Sequence, residues 1–223
     1  MLKKLLHLFQ IEKIPAPGAY FYNKVAAHSA IMRDFYGKVA DEILNEISSG
    51  NILDVGTGPG YLPVMLAQRN EALKLTGIDL SPAMIKIARK NARKAGVEER
   101  VDFKVASAYD LPFPNETFDA VISTASLHHW HRAEKAFEEI YRVLKKGGKA
   151  FIYDINGELP KDIKRNFIRK YGWFWGPYFL YVVRAHSSIT KKEIESILSR
   201  LTVSFSSISL EEEDFIIKLK MVK

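Results

Sequence analysis

Three glycines lie within five residues of one short stretch, NILDVGTGPGYLP: Gly56, Gly58 and Gly60. A glycine-rich turn between two apolar runs is typical of a backbone cradle that binds a nucleotide between a strand and a helix. Asp54 lies two residues before the first glycine, where its carboxylate would repel a pyrophosphate. Tyr61 stands where the dinucleotide pattern G-x-G-x-x-G needs a small third residue for close packing of the helix. The turn therefore favours a nucleotide-like ligand that carries positive charge rather than phosphate.

A second acidic residue, Asp79, lies about 20 residues beyond the turn, at the end of the next apolar run. A carboxylate in that place commonly accepts hydrogen bonds from ribose hydroxyls. S-adenosylmethionine has a ribose, a sulfonium and an ammonium but no phosphate, so it suits both acids. Asp54 alone is compatible with a helix cap, and Asp79 alone with an ordinary turn. Their joint position, with the glycine turn between them, favours the cofactor site.

Alternating strand and helix patterns explain how these distant residues would meet. The chain is predicted to form strands at ILDV, LKLTGIDL, VDFKVA, FDAVIST and KAFIYDI, and helices at YLPVMLAQR, SPAMIKIARKNARKAG and AEKAFEEIYRVLKKGG. Such alternation predicts a parallel sheet with helices on both faces. Ligands of such sheets bind beyond the carboxyl ends of the strands. Asp54, Asp79 and Ser107 all lie at or just past a predicted strand end, so we expect them to face one crevice.

A single domain over residues 1–223 accommodates this pattern, because the length and the 47% hydrophobic content supply one sizeable core. Residues 1–48 are predicted to form an N-terminal helical cap, and residues 157–189 an aromatic-rich insertion that interrupts the alternation. After a capped helix in SSITKKEIESILSRL, the segments TVSFSSISL and DFIIKLKMV alternate apolar and polar residues. They are predicted to pair as an antiparallel hairpin at the edge of the sheet.

The composition narrows the classes of protein and partner. The chain has no cysteine, which excludes disulfides and thiolate metal sites and fits a reducing compartment. No apolar stretch approaches the ~20 residues of a membrane-spanning helix, and the start MLKKLLHLF is expected to form a short amphipathic helix rather than a signal peptide. We therefore expect a cytoplasmic protein. The net charge of +7 fits either a solvated lysine-rich surface or contact with nucleic acid, and the scattered lysines favour the first.

Four motifs resemble, in the right order, those of class I S-adenosylmethionine-dependent methyltransferases. ILDVGTGPGYLPVMLA and GIDLSPAMIKIARKNA are similar to the first two, and DLPFPNETFDAVISTASLHHW and EEIYRVLKKGGKAFIYDI to the later ones. The similarity covers residues 24–155 and points to the small-molecule type of the family. It implies a Rossmann-like, doubly wound α/β sheet of seven strands in the order 3-2-1-4-5-7-6, mostly parallel with an antiparallel C-terminal edge hairpin. It also implies S-adenosylmethionine as methyl donor and S-adenosylhomocysteine as product.

The resemblance implies cofactor-binding roles for ten residues. Four are expected around the methionine part of the cofactor: Asp54, Gly56, Gly58 and Gly60. Three are expected around the adenine: Leu80, Met84 and Ala108, of which Met84 is equally compatible with plain core. Asp79 would bind both ribose hydroxyls, and Thr124 would border the donor methyl. Ser107 replaces an acidic residue of the family, and its hydroxyl would accept a weaker hydrogen bond from the adenine amino group.

Methyl transfer does not require a dedicated catalytic residue, because the sulfonium activates the methyl and the protein mainly orients the reactants. Three histidines nevertheless follow the fourth predicted strand: His128, His129 and His131. A neutral imidazole at His128 could deprotonate a hydroxyl acceptor. The alternative is a histidine at a helix start, satisfied by backbone groups. No carboxylate stands at convincing ligand spacing, so no metal site is predicted.

The aromatic stretch YGWFWGPYFLYVV is the main clue to the acceptor. One interpretation is a lid over a small apolar or aromatic acceptor, and the other is an ordinary helical core. The substrate-contacting candidates are Trp173, Trp175 and Tyr178 in this stretch, with Tyr20 and Tyr22 closing the site from the N-terminal side.

Other functions compete with a small-molecule methyltransferase. An RNA or protein methyltransferase would use the basic charge, although STASLHHW stands where base-amino methylators of the family carry an Asn/Asp-Pro-Pro-aromatic stretch. A non-catalytic S-adenosylmethionine-binding protein would keep the same binding residues. An NAD-dependent oxidoreductase is the least favoured, because of the loop spacing and the charge of Asp54. The sequence does not indicate an oligomeric state.

Overall fold

A computed structural model describes residues 29–173, 176–177, 180 and 188–223. The strands in these parts of the chain are β1 (Gly50–Val55), β2 (Leu73–Asp79), β3 (Val101–Val105), β4 (Phe118–Thr124), β5 (Leu144–Ile155), β6 (Ser207–Glu213) and β7 (Ile216–Val222). They form one sheet in the order β3-β2-β1-β4-β5-β7-β6. Strands β1 to β5 pair in parallel, whereas β7 pairs antiparallel with both β5 and β6. This confirms the fold implied by the sequence motifs.

The helices pack on the two faces of the sheet. They are α1 (Ala30–Glu46), α2 (Tyr61–Arg69), α3 (Pro82–Ala95), α4 (Ala133–Val143), α5 (Lys161–Tyr171) and α6 (Lys191–Leu198), with a short 3-10 turn at Leu127–His129. None of the helices in the described ranges is both long and apolar enough to cross a membrane. The boundaries of α3 lie where its start and stop residues predict: Ser81 is at the N-cap position, although its side chain makes no capping hydrogen bond, Pro82 opens the helix and Gly96 ends it with a φ of 68°.

Two buried clusters lie on opposite faces of the sheet. Successive residues of β1 point to different clusters: Ile52 packs beneath α1, α2, α3 and α5, and Leu53 packs beneath α4 and α6. Both side chains are fully buried, as expected for a central parallel strand covered on both faces. The site residues at the strand ends therefore rest on a rigid base.

The strand order creates a switch point beside β1. The chain runs outward from β1 to β2 and β3, and then returns to β4 on the other side of β1. A crevice opens where neighbouring connections leave in opposite directions, at the carboxyl ends of the strands. The glycine turn after β1 and the 3-10 turn after β4 both lie at this crevice.

Two element boundaries differ from the prediction. The helix predicted from AEKAFEEIYRVLKKGG ends at Val143, and β5 begins at Leu144, which pairs with Phe118. The register then shifts so that Ala120 pairs with Lys149, because the intervening residues form a bulge that the lysines and glycines accommodate. Strand β6 covers SISLEEE rather than TVSFSSISL, since its partner β7 and not its own composition sets the pairing.

Candidate functional site

The glycine turn is closed beneath and open above. Gly56, Gly58 and Gly60 all adopt the left-handed conformation, with φ of 75°, 52° and 73°, which disfavours any other residue type. A Cβ at Gly56 would lie 2.1 Å from the Oγ of Ser126, and one at Gly60 would lie 2.8 Å from the ring of Phe103. A Cβ at Gly58 would meet no atom within 4 Å. The backbone therefore packs tightly on the protein but leaves space at Gly58 for a ligand.

Asp54 supplies a buried carboxylate beneath this turn. The residue is 1% exposed, and its Oδ2 accepts a hydrogen bond of 2.6 Å from the hydroxyl of Thr57. Its Oδ1 is buried and has no hydrogen-bond partner among the described residues. Burial raises the pKa of Asp54 to about 7, against the hydrogen bond from Thr57 and with a contribution from the charge of Asp79. A buried carboxylate oxygen without a partner is suited to a cationic ligand group.

Asp79 connects the ends of β1 and β2. Its Oδ2 accepts a hydrogen bond of 3.0 Å from the N–H of Gly58, and its Oδ1 accepts one of 2.8 Å from the N–H of Ser81. Burial raises the pKa of this carboxyl, while the two backbone hydrogen bonds oppose the rise. Each carboxylate oxygen can accept a further hydrogen bond. The geometry therefore fits a residue that fixes the glycine turn and still binds two hydroxyls.

The residues expected around the adenine follow β2 and β3. Met84 is 2% exposed and packs with Ile87 in a small cluster apart from the two main ones. The hydroxyl of Ser107 accepts a hydrogen bond of 3.1 Å from the N–H of Tyr109, so its acceptor capacity is partly used. Three of these residues are half-buried: Leu80, Ser107 and Ala108.

A strained turn follows β4. Thr124 is buried at the end of the strand, and Ala125 has a φ of 49°, which is uncommon for a residue with a side chain. The N–H of Ala125 donates to the carbonyl of Tyr153 at 2.8 Å. The Oγ of Ser126 accepts a hydrogen bond of 3.1 Å from the indole N–H of Trp130. Backbone strain beside the glycine turn is typical of functional sites.

His128 lies in the 3-10 turn that follows, and Asp154 near the end of β5 holds it. The Nδ1 of His128 is 2.8 Å and 3.0 Å from the two carboxylate oxygens. The backbone N–H of His128 donates to the same carboxylate at 3.0 Å. Its Nε2 is buried and has no hydrogen-bond partner in the described part of the chain. Sequence reasoning missed Asp154, although a lone acid in the apolar strand KAFIYDI is the same signal as Asp54 in ILDV.

The other histidines differ from His128. The ring centroid of His129 lies 4.1 Å from that of His128. Burial, reinforced by the neighbouring charge of His128, lowers the pKa of His129 to about 4, so this imidazole is neutral at pH 7. His131 is exposed. Within the described ranges, no group of three or more histidine or acidic side chains could hold a metal ion.

Only one of the predicted acceptor-contacting residues falls within the described residues. Trp173 follows Gly172, which ends α5, and it is 84% exposed. Its indole is therefore not part of the helical core. Tyr20, Tyr22, Trp175 and Tyr178 lie outside the described residues, so the lid stays a prediction.

Comparison with known proteins supports the same reading. Residues 53–152 match the family model described as a methyltransferase domain. The chain is 38% identical over 119 residues to erythromycin 3''-O-methyltransferase of Saccharopolyspora erythraea, covering 53% of this chain and 38% of that protein. It is 35% identical over 139 residues to demethylmenaquinone methyltransferase of Thermus thermophilus, covering 62% of this chain and 61% of that protein. The matched region thus spans less than two thirds of either relative.

A solved structure agrees over nearly the whole chain. A candidate S-adenosylmethionine-dependent methyltransferase from Methanococcus maripaludis superposes with a TM-score of 0.75 at 27% identity, covering 93% of each chain. The fold and the glycine-turn site define a class I methyltransferase architecture. Residues 53–152 form a methyltransferase domain of the class I S-adenosylmethionine-dependent family. The cofactor of that family fits the site, because its ammonium matches the unpartnered Oδ1 of Asp54 and its bulk matches the open space at Gly58.

Proposed function

We propose that the protein transfers the methyl group of S-adenosylmethionine to a small apolar or aromatic acceptor by in-line displacement. The observation that carries the proposal is the unpartnered, buried oxygen of Asp54 beneath a glycine turn that is open at Gly58. A buried carboxylate there favours a cation and repels a pyrophosphate. The alternative of a dinucleotide-dependent oxidoreductase loses its support for the same reason.

The residues of this chain would bind and orient the cofactor rather than carry its chemistry. When bound, the cofactor supplies a methyl group made electrophilic by the sulfonium. Asp54 would bind the ammonium, Asp79 the ribose hydroxyls, and the turn would allow close approach of the backbone. Four residues would surround the adenine: Leu80, Met84, Ser107 and Ala108. Thr124, at the end of β4, would border the methyl group and help to align it with the acceptor.

The relatives and the surface after α5 support the proposed acceptor class. The printed names of the two relatives refer to erythromycin and to demethylmenaquinone, both of them small molecules. The exposed indole of Trp173 is a surface on which an apolar or aromatic acceptor could stack. Tyr20, Tyr22, Trp175 and Tyr178 complete the proposed contact set. A cytoplasmic location remains a prediction from the composition.

A labelling experiment separates this function from its alternatives. The purified protein is incubated with S-adenosylmethionine labelled in its methyl group and with an extract of the source cells, and the label is then partitioned. Label in the organic phase would support a small apolar acceptor. Label in nuclease-sensitive RNA or in acid-precipitated protein would favour a macromolecular acceptor. The net positive charge of the chain would then serve to bind that acceptor. Binding of S-adenosylhomocysteine without any transfer of label would favour a non-catalytic binding protein.

A further inference from the structure

We propose that His128 is the general base of the reaction, that Asp154 positions it, and that the methyl acceptor is therefore a hydroxyl group. This inference rests on the proposed function and narrows its acceptor to a phenol, an enol or an alcohol. It stands on the contacts of His128 and on the place of its turn beside the glycine turn.

The first observation is the way in which Asp154 holds His128. The carboxylate is 1% exposed and contacts both the Nδ1 and the backbone N–H of His128, at 2.8–3.0 Å. A carboxylate only accepts hydrogen bonds, so Nδ1 carries a proton, and in the neutral imidazole Nε2 then presents its lone pair. The same carboxylate would stabilise the imidazolium that forms when Nε2 takes a proton.

The second observation is that Nε2 of His128 makes no hydrogen bond within the described part of the protein. A histidine with a purely structural role would be expected to have a partner at Nε2 as well as at Nδ1, yet Nε2 is buried and has no hydrogen-bond partner among the described residues. Buried polar atoms without a partner are uncommon in native structures. A hydroxyl of the acceptor would provide the missing hydrogen bond.

The third observation places this histidine next to the cofactor. The 3-10 turn follows directly on Thr124, Ala125 and Ser126 at the end of β4. A Cβ at Gly56 would lie 2.1 Å from the Oγ of Ser126, so this turn packs against the glycine turn. His128 therefore lies beyond the carboxyl ends of the strands, on the side of the sheet where the cofactor would present its methyl group.

His129 does not fit the same role. Its Nδ1 is buried and has no hydrogen-bond partner among the described residues, so no carboxylate contacts this nitrogen as Asp154 contacts Nδ1 of His128. Burial also lowers its pKa to about 4, which makes it a weak base at neutral pH. Among the described residues, Asp154 from β5 and His129 from the same turn contact His128, and His131, just beyond the turn, acts electrostatically on His129.

The proposed step balances in atoms and charge. Nε2 of His128 takes the proton of the acceptor hydroxyl while the acceptor oxygen attacks the methyl carbon. The oxygen–carbon bond forms as the carbon–sulfur bond breaks, and the bonding pair stays on sulfur. The product is a methyl ether, and the imidazolium of His128 then loses its proton to water. Asp154 remains a carboxylate throughout.

Nitrogen-15 NMR of the imidazoles, with saturating S-adenosylhomocysteine, tests the positioning without any acceptor. We expect His128, assigned by loss of its signal in His128→Asn, to be protonated at Nδ1 and unprotonated at Nε2 at pH 7.5. Asp154→Asn should shift this tautomer, while His131→Asn, an exposed site in the same segment, should leave it unchanged. A wild-type His128 that is protonated at Nε2 would overturn the proposal, whether or not the Asp154 variant folds.

The acceptor atom is tested on the labelled product from the extract. Heating with hydriodic acid releases the methyl group of an ether as methyl iodide and leaves a carbon-bound methyl in place. We expect release of the label, a transfer rate lowered at least 100-fold in His128→Asn, and S-adenosylhomocysteine affinity within twofold of wild type; His131→Asn should transfer at the wild-type rate. Label on carbon or nitrogen, or an undiminished rate in His128→Asn, would overturn the proposal that His128 is the base. The proposed methyltransferase function would still stand. Absence of any transfer by the wild-type protein would overturn the proposed function itself.

Discussion

At the scale of single residues, the role proposed for Asp54 would couple cofactor binding to pH. Burial raises its pKa to about 7, above the ordinary value for aspartate of about 3.9. A raised folded pKa means that the carboxyl contributes stability that is complete below about pH 4 and is lost as the pH rises through 7. The ionised form that destabilises the unliganded protein is the form that attracts an ammonium. Binding and folding therefore respond to pH in opposite directions at this residue.

The first prediction concerns this coupling. The affinity for S-adenosylhomocysteine should rise by up to about tenfold per pH unit below pH 7 and level off above it, because its ammonium prefers the ionised Asp54. Asp54→Asn should weaken binding and remove the dependence on pH. Isothermal calorimetry between pH 5.5 and 7.5 measures both effects. Methylthioadenosine, which lacks the ammonium, is the control ligand; the same pH dependence with this ligand would contradict the role of Asp54.

The second prediction concerns Asp79. Asp79→Ala should weaken the binding of S-adenosylhomocysteine by ~1–3 kcal/mol, since buried polar partners lose their acceptor. The variant should also unfold at lower temperature, because the N–H groups of Gly58 and Ser81 lose the same carboxylate. Calorimetry at a temperature where the variant is folded separates the two effects. Unchanged affinity for S-adenosylhomocysteine would contradict the assignment of Asp79 as the ribose-binding residue.

Single residues at strand ends were predictable from the sequence, whereas their partners were not. Asp54 and Asp79 could be selected because each lies near the end of an apolar run and the glycine turn stands between them. The pairing of His128 with Asp154 depends on β4 and β5 lying side by side, and no local pattern reports it. The hydrogen bond that Ser107 receives from the N–H of Tyr109 is likewise visible only in three dimensions.

At the scale of elements, α1 is joined to the C-terminal strands by a ladder of ion pairs. Three of its charged residues, Lys38, Glu42 and Glu46, are spaced four apart and so share one face of the helix. Their partners lie on β5, β7 and the β6–β7 hairpin: Lys149, Lys218, Lys220, Glu213 and Asp214. Hydrogen bonds from Lys149 and Lys220 lower the pKa of Glu46. A lowered pKa contributes stability at neutral pH that is lost as the pH falls below about 4.

The third prediction concerns the middle of this ladder. Glu42 accepts hydrogen bonds from Lys218 and from the hydroxyl of Tyr153. Glu42→Gln should lower the free energy of unfolding by about 1 kcal/mol, a modest value because the pair is partly exposed to solvent. The loss should shrink at 1 M salt, where screening weakens the pair in the wild-type protein. Urea unfolding at both salt concentrations measures it, with the exposed Glu98→Gln as control; equal losses in both variants would contradict the ladder.

Element types were predictable here because α3 has recognisable start and stop residues, α6 has a capping box and most strands are apolar runs. The predicted boundaries were wrong where pairing with a neighbouring strand decided where an element begins or ends. LKKGG has the composition of a helix end, yet Leu144 already pairs with Phe118 in the sheet. The glutamates of β6 have low strand propensity, and they are tolerated because β6 is an edge strand with exposed side chains.

At the scale of the whole molecule, the fold leaves one class of cofactor for the crevice. The strand order places the glycine turn and the turn after β4 at the same switch point, and an ionised Asp54 would disfavour phosphates there. A ligand that binds only the folded state stabilises it by about 2.7 kcal/mol at a concentration 100 times its Kd.

The fourth prediction is therefore that S-adenosylhomocysteine raises the melting temperature by several degrees at such a concentration, whereas NAD at the same concentration leaves it unchanged. Differential scanning calorimetry at pH 7.5 measures both, and Asp54→Asn serves as the variant in which the difference between the ligands should narrow. Equal stabilisation of the wild-type protein by NAD would mean that the turn accepts a pyrophosphate, and the cationic interpretation of the site would then be wrong.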